Sequence, residues 1–544
     1  MQLSLLEALP DEVLRHVLRH CGLNALLALA ATSRGFHELI TSDSHGFLAT
    51  YARTCSNYDP RTLKTLAFHQ RAPWPQRAQW TERTCRRWSE WDGRGSVIGG
   101  PQREWRRCLP TLKIWDVQAG VGTVLVAKGR ELELWLTRPD GGVEIAPVVV
   151  RNPLQRSAAR SKQVGGAQLA PTSSAQDDAT AFAAVPRPGE IIVSRVSGVV
   201  QRLRVEEHVG PGSHLVLEEA ARYGIDAGHL ATPAIRTTVQ TIHSRGNLLV
   251  SSSTTRQRPN VGPSDQTAVS DPRGPIVSLA RTLKKRSAAQ NHAISLHSIA
   301  APWQPAITLP LPTKPWSVHV SPSQKWLAVG QSGTAPLSIY QLDSTGAPIS
   351  TPTAIAHTVK STSVYGIATP SLDCSPFSNP EQTLIGAFYD STTRIYDLRI
   401  PSFGRPSSWD ASDDDRPSNE VARLVDPWSD DPCYSLGIGG AVGAYVAVGT
   451  ARNAAVRLFD VRSPVRPTGI TAFAPGRDRS PIYALEVEGS RVWGCTESRG
   501  FVLDFEAFEA PRKRMDKIAY VSHQEGEGGT LRWMGDHRRR LEAQ

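Results

Sequence analysis

Paired β-runs recur along most of this chain and restrict its fold more than any other feature. Seven pairs of short, apolar, β-prone segments stand side by side: Thr123–Val126 with Leu132–Leu136, Glu190–Arg195 with Val199–Val205, Asn247–Ser251 with Ala293–Ile299, Trp326–Gly330 with Leu337–Leu342, Thr383–Phe388 with Thr393–Leu398, Tyr445–Gly449 with Val456–Val461, and Arg491–Cys495 with Phe501–Phe505. Such pairs predict hairpins. Forty prolines and 43 glycines against 3 methionines fit turn-rich β structure better than a helical bundle. Four hairpins follow a further strand with an aromatic near its start, at Trp316, Tyr365, Tyr434 and Tyr483. One four-stranded unit cannot bury both faces, whereas a ring of such units can, leaving only short protected edges.

The outer strands end alike, as Ile395-Tyr396-Asp397-Leu398-Arg399 and Leu458-Phe459-Asp460-Val461-Arg462, with shorter echoes at Ile339-Tyr340-Gln341-Leu342 and Leu503-Asp504-Phe505. This aromatic–Asp ending resembles the Trp-Asp of WD-repeat propellers. The resemblance implies a mainly β chain: a WD-repeat-like β-propeller over residues 111–510 with about seven blades. In such propellers the aromatic packs between blades and the Asp turns a neighbouring loop. None of the seven hairpins ends in Trp-Asp itself, and their spacing is irregular. Six or eight blades therefore stay open, as does a two-sheet sandwich repeat. Inserts near 155–180 and 252–291 are polar and read as loops, the second carrying Arg281, Lys284, Lys285 and Arg286. Residues 511–544 form a basic tail that either is partly disordered or supplies a ring-closing strand over 517–523.

The first forty residues read differently. Pro10 suits a first helical position, where its missing N–H is not needed. Asp11 and Glu12 follow at the positive end of the helix dipole. Val13, Leu14, Val17, Leu18 and Cys21 then make one apolar stripe, and Gly22 ends the helix. A second helix runs from Asn24 through Leu26, Leu27, Leu29 and Ala30; a third carries Phe36, Leu39 and Ile40. Three such short helices hold too little apolar surface to be stable alone and must pack on something else.

The string LPDEVLRHVLRHCGLNALLALAATSRGFHEL resembles an F-box, over residues 3–43. Its elements come in order: Leu9, Pro10, Glu12, Val13, Leu14, then Leu26, Leu29, Ala30, then Ser33, Arg34, Phe36. The resemblance implies docking on the Skp-type adaptor of a cullin–RING ubiquitin ligase of the SCF type, through apolar anchors set in a partner's groove. Leu9, Pro10, Val13, Leu14, Leu18 and Leu26 are the candidate anchors.

Residues 44–110 form a basic, tryptophan-rich helical connector. Between Arg53 and Arg107 stand 12 Lys/Arg and 5 Asp/Glu, so this stretch holds +7 of the chain's +10. Trp80, Thr84, Trp88 and Trp91 share a helical face ringed by Arg83, Arg86, Arg87 and Arg94. Aromatics interleaved with cations can stack bases and hold phosphates. The preferred reading is a helix docked on its neighbouring domain, its arginines left in water.

Chemistry-bearing motifs are missing. The sequence has no HExxH, GxSxG or GxxxxGK[ST], and no histidine pair at clear metal spacing. Gly437–Gly443 leads into a strand, so no helix dipole faces a phosphate there. No catalytic residue, metal or cofactor is expected. Seven dispersed cysteines, never CxxC, read as reduced thiols and an intracellular address. The uncharged run 432–451 is broken by glycines and is no bilayer span; membrane and nucleic acid are not expected partners.

The expected function is a non-catalytic substrate receptor, with a propeller face holding an unknown protein, phosphorylated or acidic in one version. In propeller receptors of this kind, cations on one face often bind such segments. Arg138, Arg399, Arg462 and Arg466, just past outer strands, and Arg491, at a strand start, are the candidates. Two alternatives stay open. The Ile395–Arg399 and Leu458–Arg462 endings resemble the aromatic-Asp-x-Arg box of receptors for a different cullin adaptor. The chain could also be a scaffold without ligase function that binds RNA through the basic connector.

Overall fold

The computed structural model describes residues 11–19, 21, 23–41, 74–90, 92–98, 109–118, 121–129, 131–137, 143–151, 178–208, 215–223, 235–257, 290–358, 360–370, 381–400, 419–427, 429–440, 443–461, 468–475, 480–505, 516–517 and 520–522. Helices α1 (Asp11–Arg19), α2 (Leu23–Ala30), α3 (Arg34–Thr41) and α4 (Trp74–Ser89) come first, and β-structure fills the remainder. No helix among the described residues is long and apolar enough to cross a membrane.

Strand β1 (Arg94–Val97) precedes a series of antiparallel meanders. In chain order these are β2 (Thr111–Gln118), β3 (Val121–Lys128), β4 (Glu131–Thr137), β5 (Val143–Arg151); β6 (Ala179–Ala184), β7 (Glu190–Arg195), β8 (Val200–His208), β9 (Leu215–Tyr223); and β10 (Ile235–Arg245), β11 (Leu248–Gln257), β12 (Gln290–Ser298), β13 (Ile307–Leu311). Then follow β14 (Pro315–Val320), β15 (Trp326–Gly333), β16 (Leu337–Gln341), β17 (Thr353–Ala356); β18 (Thr362–Ala368), β19 (Thr383–Phe388), β20 (Thr393–Asp397), β21 (Glu420–Leu424); and β22 (Cys433–Gly439), β23 (Tyr445–Thr450), β24 (Ala455–Asp460), β25 (Thr468–Phe473). The series ends with β26 (Ala484–Glu488), β27 (Arg491–Cys495) and β28 (Gly500–Asp504). Short strands β29 (Asp516–Lys517) and β30 (Tyr520–Ser522) pair with β1 and β25.

Hydrogen bonding joins these strands into five sheets. Two of the sheets are double. In one, β5 meets β9 in a parallel pairing from Val148↔Leu215 to Arg151↔Glu218; in the other, β15 meets β18 only at Ser332↔Ser363 and Gly333↔Thr362. Every hairpin expected from sequence is an adjacent antiparallel pair. The first strands of successive meanders pack on one another, from β2 through β6, β10, β14, β18 and β22 to β26, and β26 returns to β2. An ion pair between Lys113 Nζ on β2 and Glu486 Oε1 on β26 joins that last contact. The result is propeller-like.

Glycines permit the close approach of these first strands. A Cβ on Gly366 of β18 would lie 2.7 Å from the Leu436 Cβ on β22. One on Gly449 would lie 2.8 Å from the Ile482 Cβ. Beside the glycines, Ser317 Oγ donates to the Val364 carbonyl and Ser435 Oγ to the Ile482 carbonyl, each at 2.8 Å. Neighbouring units are thus latched backbone to side chain.

Two features depart from the sequence expectations. Arg94–Val97, inside the stretch read as helical connector, is a strand: it pairs with β28 from Arg94↔Asp504 to Val97↔Phe501 and completes the last meander. Its backbone ladder needs no apolar alternation, and a Cβ on Gly95 would lie 2.8 Å from the Pro475 Cγ, so the site accepts only a bare backbone. In addition, β11 runs on to Gln257 and β12 starts at Gln290, so both strands reach into the insert expected over 252–291.

Helix α4 packs on the β-structure. Trp88 is fully buried among strands of the last two meanders, its ring centroid 4.0 Å from that of Phe505 and 4.6 Å from that of Tyr445. Arg83 and Arg86 stay exposed, while Arg87 pairs with Asp92 at 3.1 Å. The side chains of Trp80 and Trp91 lie outside the described residues.

Candidate functional site

Helices α1 to α3 form a unit with a core of its own. Leu14 and Leu18 of α1 close on Leu23, Leu26 and Ala30 of α2 and on Phe36 and Ile40 of α3. Ser33 caps α3: its Oγ accepts from the Phe36 N–H at 3.2 Å, the N-cap bond that the first turn of a helix leaves open. Helix α2 touches α4, which ties the unit to the helix docked on the β-structure. The α1 stripe has two edges. Leu14 and Leu18 turn inward, whereas Val13 and Val17, one turn apart, are 46% and 41% exposed. Both valines stand on the side of α1 away from its core.

Residues 6–48 match the F-box domain. This F-box carries the expected anchors unevenly. Val13 presents apolar surface; Leu14, Leu18 and Leu26, each under a tenth exposed, are spent on the internal core of the F-box. Leu9 and Pro10 lie outside the described residues. Val17, not among the expected anchors, is exposed one turn from Val13, a spacing readable in the sequence.

The chain carries an F-box ahead of a β-propeller-like body. No curated protein matches it in sequence. Among solved structures, it is similar to the β-propeller domain of Cps50 (Swd1) from Myceliophteria thermophila, at 8% identity and TM-score 0.42 over 75% of this chain and 99% of that one. It is also similar to a chain of the mitotic checkpoint complex (13%, TM-score 0.40, 75% and 94% covered) and to the WD40 β-propeller domain of Doa1 (8%, TM-score 0.38, 75% and 96% covered). With scores this low, the strand order itself carries the propeller assignment.

Of the arginines expected to bind substrate, Arg491 and Arg399 lie among the described residues. Arg491 is buried, its Nε 3.0 Å from Asp504 Oδ2, so it is an internal ion pair of the last sheet and not a surface cation. The reason is its place opposite Asp504 in the β27–β28 ladder, where each charge answers the other. Arg399 is exposed but folded back on Asp397, with Nε 2.9 Å from Oδ1 and the backbone N–H 3.0 Å from the same oxygen. Those bonds hold the Asp397 carboxyl below its ordinary range, and they make the aromatic-Asp-x-Arg ending a closed local turn. Arg138, Arg462 and Arg466 lie outside the described residues.

Two histidines, His319 buried and His243 half-buried, sit on the inner strands. His243 on β10 and His319 on β14 stack with centroids 4.3 Å apart. Val320 N–H donates to His243 Nδ1 at 3.1 Å, and His319 Nε2 lies 3.0 Å from Thr369 Oγ1. Burial, with Arg245 and Lys113 nearby, pushes His319 down to about 3. On β12, burial pushes His297 down to about 4. Among the described residues no group of three or more His, Cys, Asp or Glu could hold a metal ion, and Cys21, Cys85, Cys433 and Cys495 form no disulfide.

Proposed function

We propose that this chain is the non-catalytic, substrate-recruiting subunit of an SCF-type cullin–RING ubiquitin ligase. The F-box docks a Skp-type adaptor, and one face of the propeller holds the protein to be modified. The observation that carries this reading is an F-box whose core is complete while Val13 and Val17 remain in water. An exposed apolar pair on a helix edge fits a partner's groove. Leu14, Leu18 and Leu26 act behind them by holding α1 at its angle. Such a role belongs inside the cell.

The body is a seven-bladed ring in this proposal. In support, each double sheet divides at its short junction into two meanders of four strands. β1 serves as the fourth strand of the last blade, so residues ahead of the first blade join the end of the chain to its beginning. Contact of β26 with β2 supports closure. The aromatic face of α4 is already occupied by the propeller, which leaves Trp88 unable to stack a base and weighs against the RNA scaffold.

Affinity purification with the proteasome blocked tests the ligase assignment. The intact chain brings down a Skp-type adaptor and a cullin, and Val13→Asp with Val17→Asp loses both. Recovery of a cullin through a different adaptor, abolished by Arg399→Ala, would favour the aromatic-Asp-x-Arg box instead. Recovery of neither refutes the reading.

A further inference from the structure

Three consecutive inner strands carry a β-bulge at the same place, and each time the extra residue is aromatic. On β14 the register slips between Pro315 and Ser317, leaving Trp316 unpaired; on β18 it slips between Val364 and Gly366, leaving Tyr365; on β22 between Cys433 and Ser435, leaving Tyr434. Tyr483 stands just ahead of β26. A bulge re-aims the side chain of its extra residue, and bulges concentrate beside functional sites. Here the re-aimed rings meet across blade boundaries.

The rings form one continuous arc. Centroids are 4.6 Å apart for Trp316 and Tyr365, 4.7 Å for Tyr365 and Tyr434, and 5.5 Å for Tyr434 and Tyr483. Tyr389, on the β19–β20 turn, joins from the side at 5.5 Å from Tyr365 and is 44% exposed. The other four rings are half-buried. Burial and neighbouring phenols raise Tyr434 above its ordinary range, and Tyr365 is pushed up to about 12, so both keep their O–H proton. No hydrogen bond occupies the hydroxyl of Tyr365, Tyr389 or Tyr434 in the described residues.

The arc is built for an uncharged, extended ligand rich in hydrogen-bond acceptors. Tyr365 and Tyr434 stack at 25°, one face of each on the other, and their hydroxyls carry no hydrogen bond among the described residues. A cationic side chain finds the Trp316 face already covered by Lys314 Nζ, 3.5 Å from the centroid. The carboxylate on the Tyr389 turn, Asp390, is engaged by Arg394 and by Thr392 Oγ1. A single ammonium is too little to select a strongly acidic segment. Polyproline II supplies what is left: no internal hydrogen bonds, free carbonyls, and flat pyrrolidine faces that pack on aromatic rings. At ~3.1 Å per residue, an arc of about 15 Å takes roughly five residues.

We propose that the aromatic arc of Trp316, Tyr365, Tyr389, Tyr434 and Tyr483 is a docking site for a proline-rich peptide segment. This names the class of cargo and so builds on the receptor reading above. The test uses the purified full chain and immobilised dodecapeptides carrying Pro-x-x-Pro in every register. Controls have proline replaced by alanine, an added phosphoserine, or an added trimethyl-lysine.

The proline-rich set is expected to bind best. Tyr389→Ala, at an exposed position that leaves melting unchanged, weakens it about tenfold. Tyr434→Phe keeps the ring, removes one donor and costs roughly fivefold. Equal binding of the alanine set overturns the proposal, as does preference for the phosphoserine or trimethyl-lysine set or indifference to both variants. Adaptor capture is measured on the same variants. Peptide binding without adaptor capture defeats the ligase reading alone, and adaptor capture without peptide binding defeats the arc alone.

Discussion

Truncating Trp88 separates a docked connector from a loose one. The side chain is fully buried and stacks on Phe505 at 4.0 Å while tilting against Tyr445 at 4.6 Å. Replacing a buried Trp with Ala costs about 3–5 kcal/mol, and the lost aromatic pairs belong to the upper part of that range. The indole N–H has no hydrogen-bond partner, so nothing polar is lost with it. Trp88→Phe should therefore cost about 1–2 kcal/mol, the price of a smaller ring. Native-state hydrogen exchange reads the effect where it arises. Amides of β23 and β28, which flank Trp88 in the core, should lose protection about a hundredfold to a thousandfold in Trp88→Ala. Amides of β15, in a different sheet, should change far less. Unchanged protection of β23 and β28, or equal damage from Phe and Ala, would refute the packing account.

Arg491→Ala leaves Asp504 buried without its guanidinium and should cost about 3–5 kcal/mol in a denaturation midpoint, whereas Arg491→Met with Asp504→Leu recovers most of it. Leu18→Ala should melt the F-box by about 2–5 kcal/mol, while Val17→Ala stays within about 0.5 kcal/mol, as monitored by helical circular dichroism of the full chain. Folded His319 and His297 titrate at about 3 and about 4, below their unfolded value, so the unfolded chain binds more protons between those values and pH 6.5. Stability is therefore complete above pH 6.5 and falls as pH drops through that window, by about 2 kcal/mol per histidine at pH 5. Urea midpoints from pH 7.5 to 5 measure this, and His297→Gln should flatten the slope.

The hairpins were legible because each strand alternates within a few residues of its partner, as in Thr383–Phe388 against Thr393–Leu398. β1 was not. Arg94-Gly95-Ser96-Val97 has no apolar period, and its partner lies some four hundred residues away, so only the folded ladder discloses the pairing. Arg491 misled for a related reason: a strand-start arginine reads as rim decoration until Asp504 is seen opposite it. In the F-box, helical spacing located the stripe but not its sidedness. Val13 and Leu14 are equally apolar in sequence, and only the packing of α2 and α3 decides which of them faces inward. The aromatics at Trp316, Tyr365, Tyr434 and Tyr483 were visible one by one, but their convergence needs three aligned bulges that no local pattern encodes.

Calorimetric titration of the purified full chain with a purified Skp-type adaptor tests the central claim most directly. The native chain should bind at one site, Val13→Asp with Val17→Asp should weaken binding at least thirtyfold (roughly 2 kcal/mol of lost apolar burial), and Tyr389→Ala should leave it unchanged. No measurable heat of binding from a folded native chain, or equal affinity in the double valine variant, would contradict it.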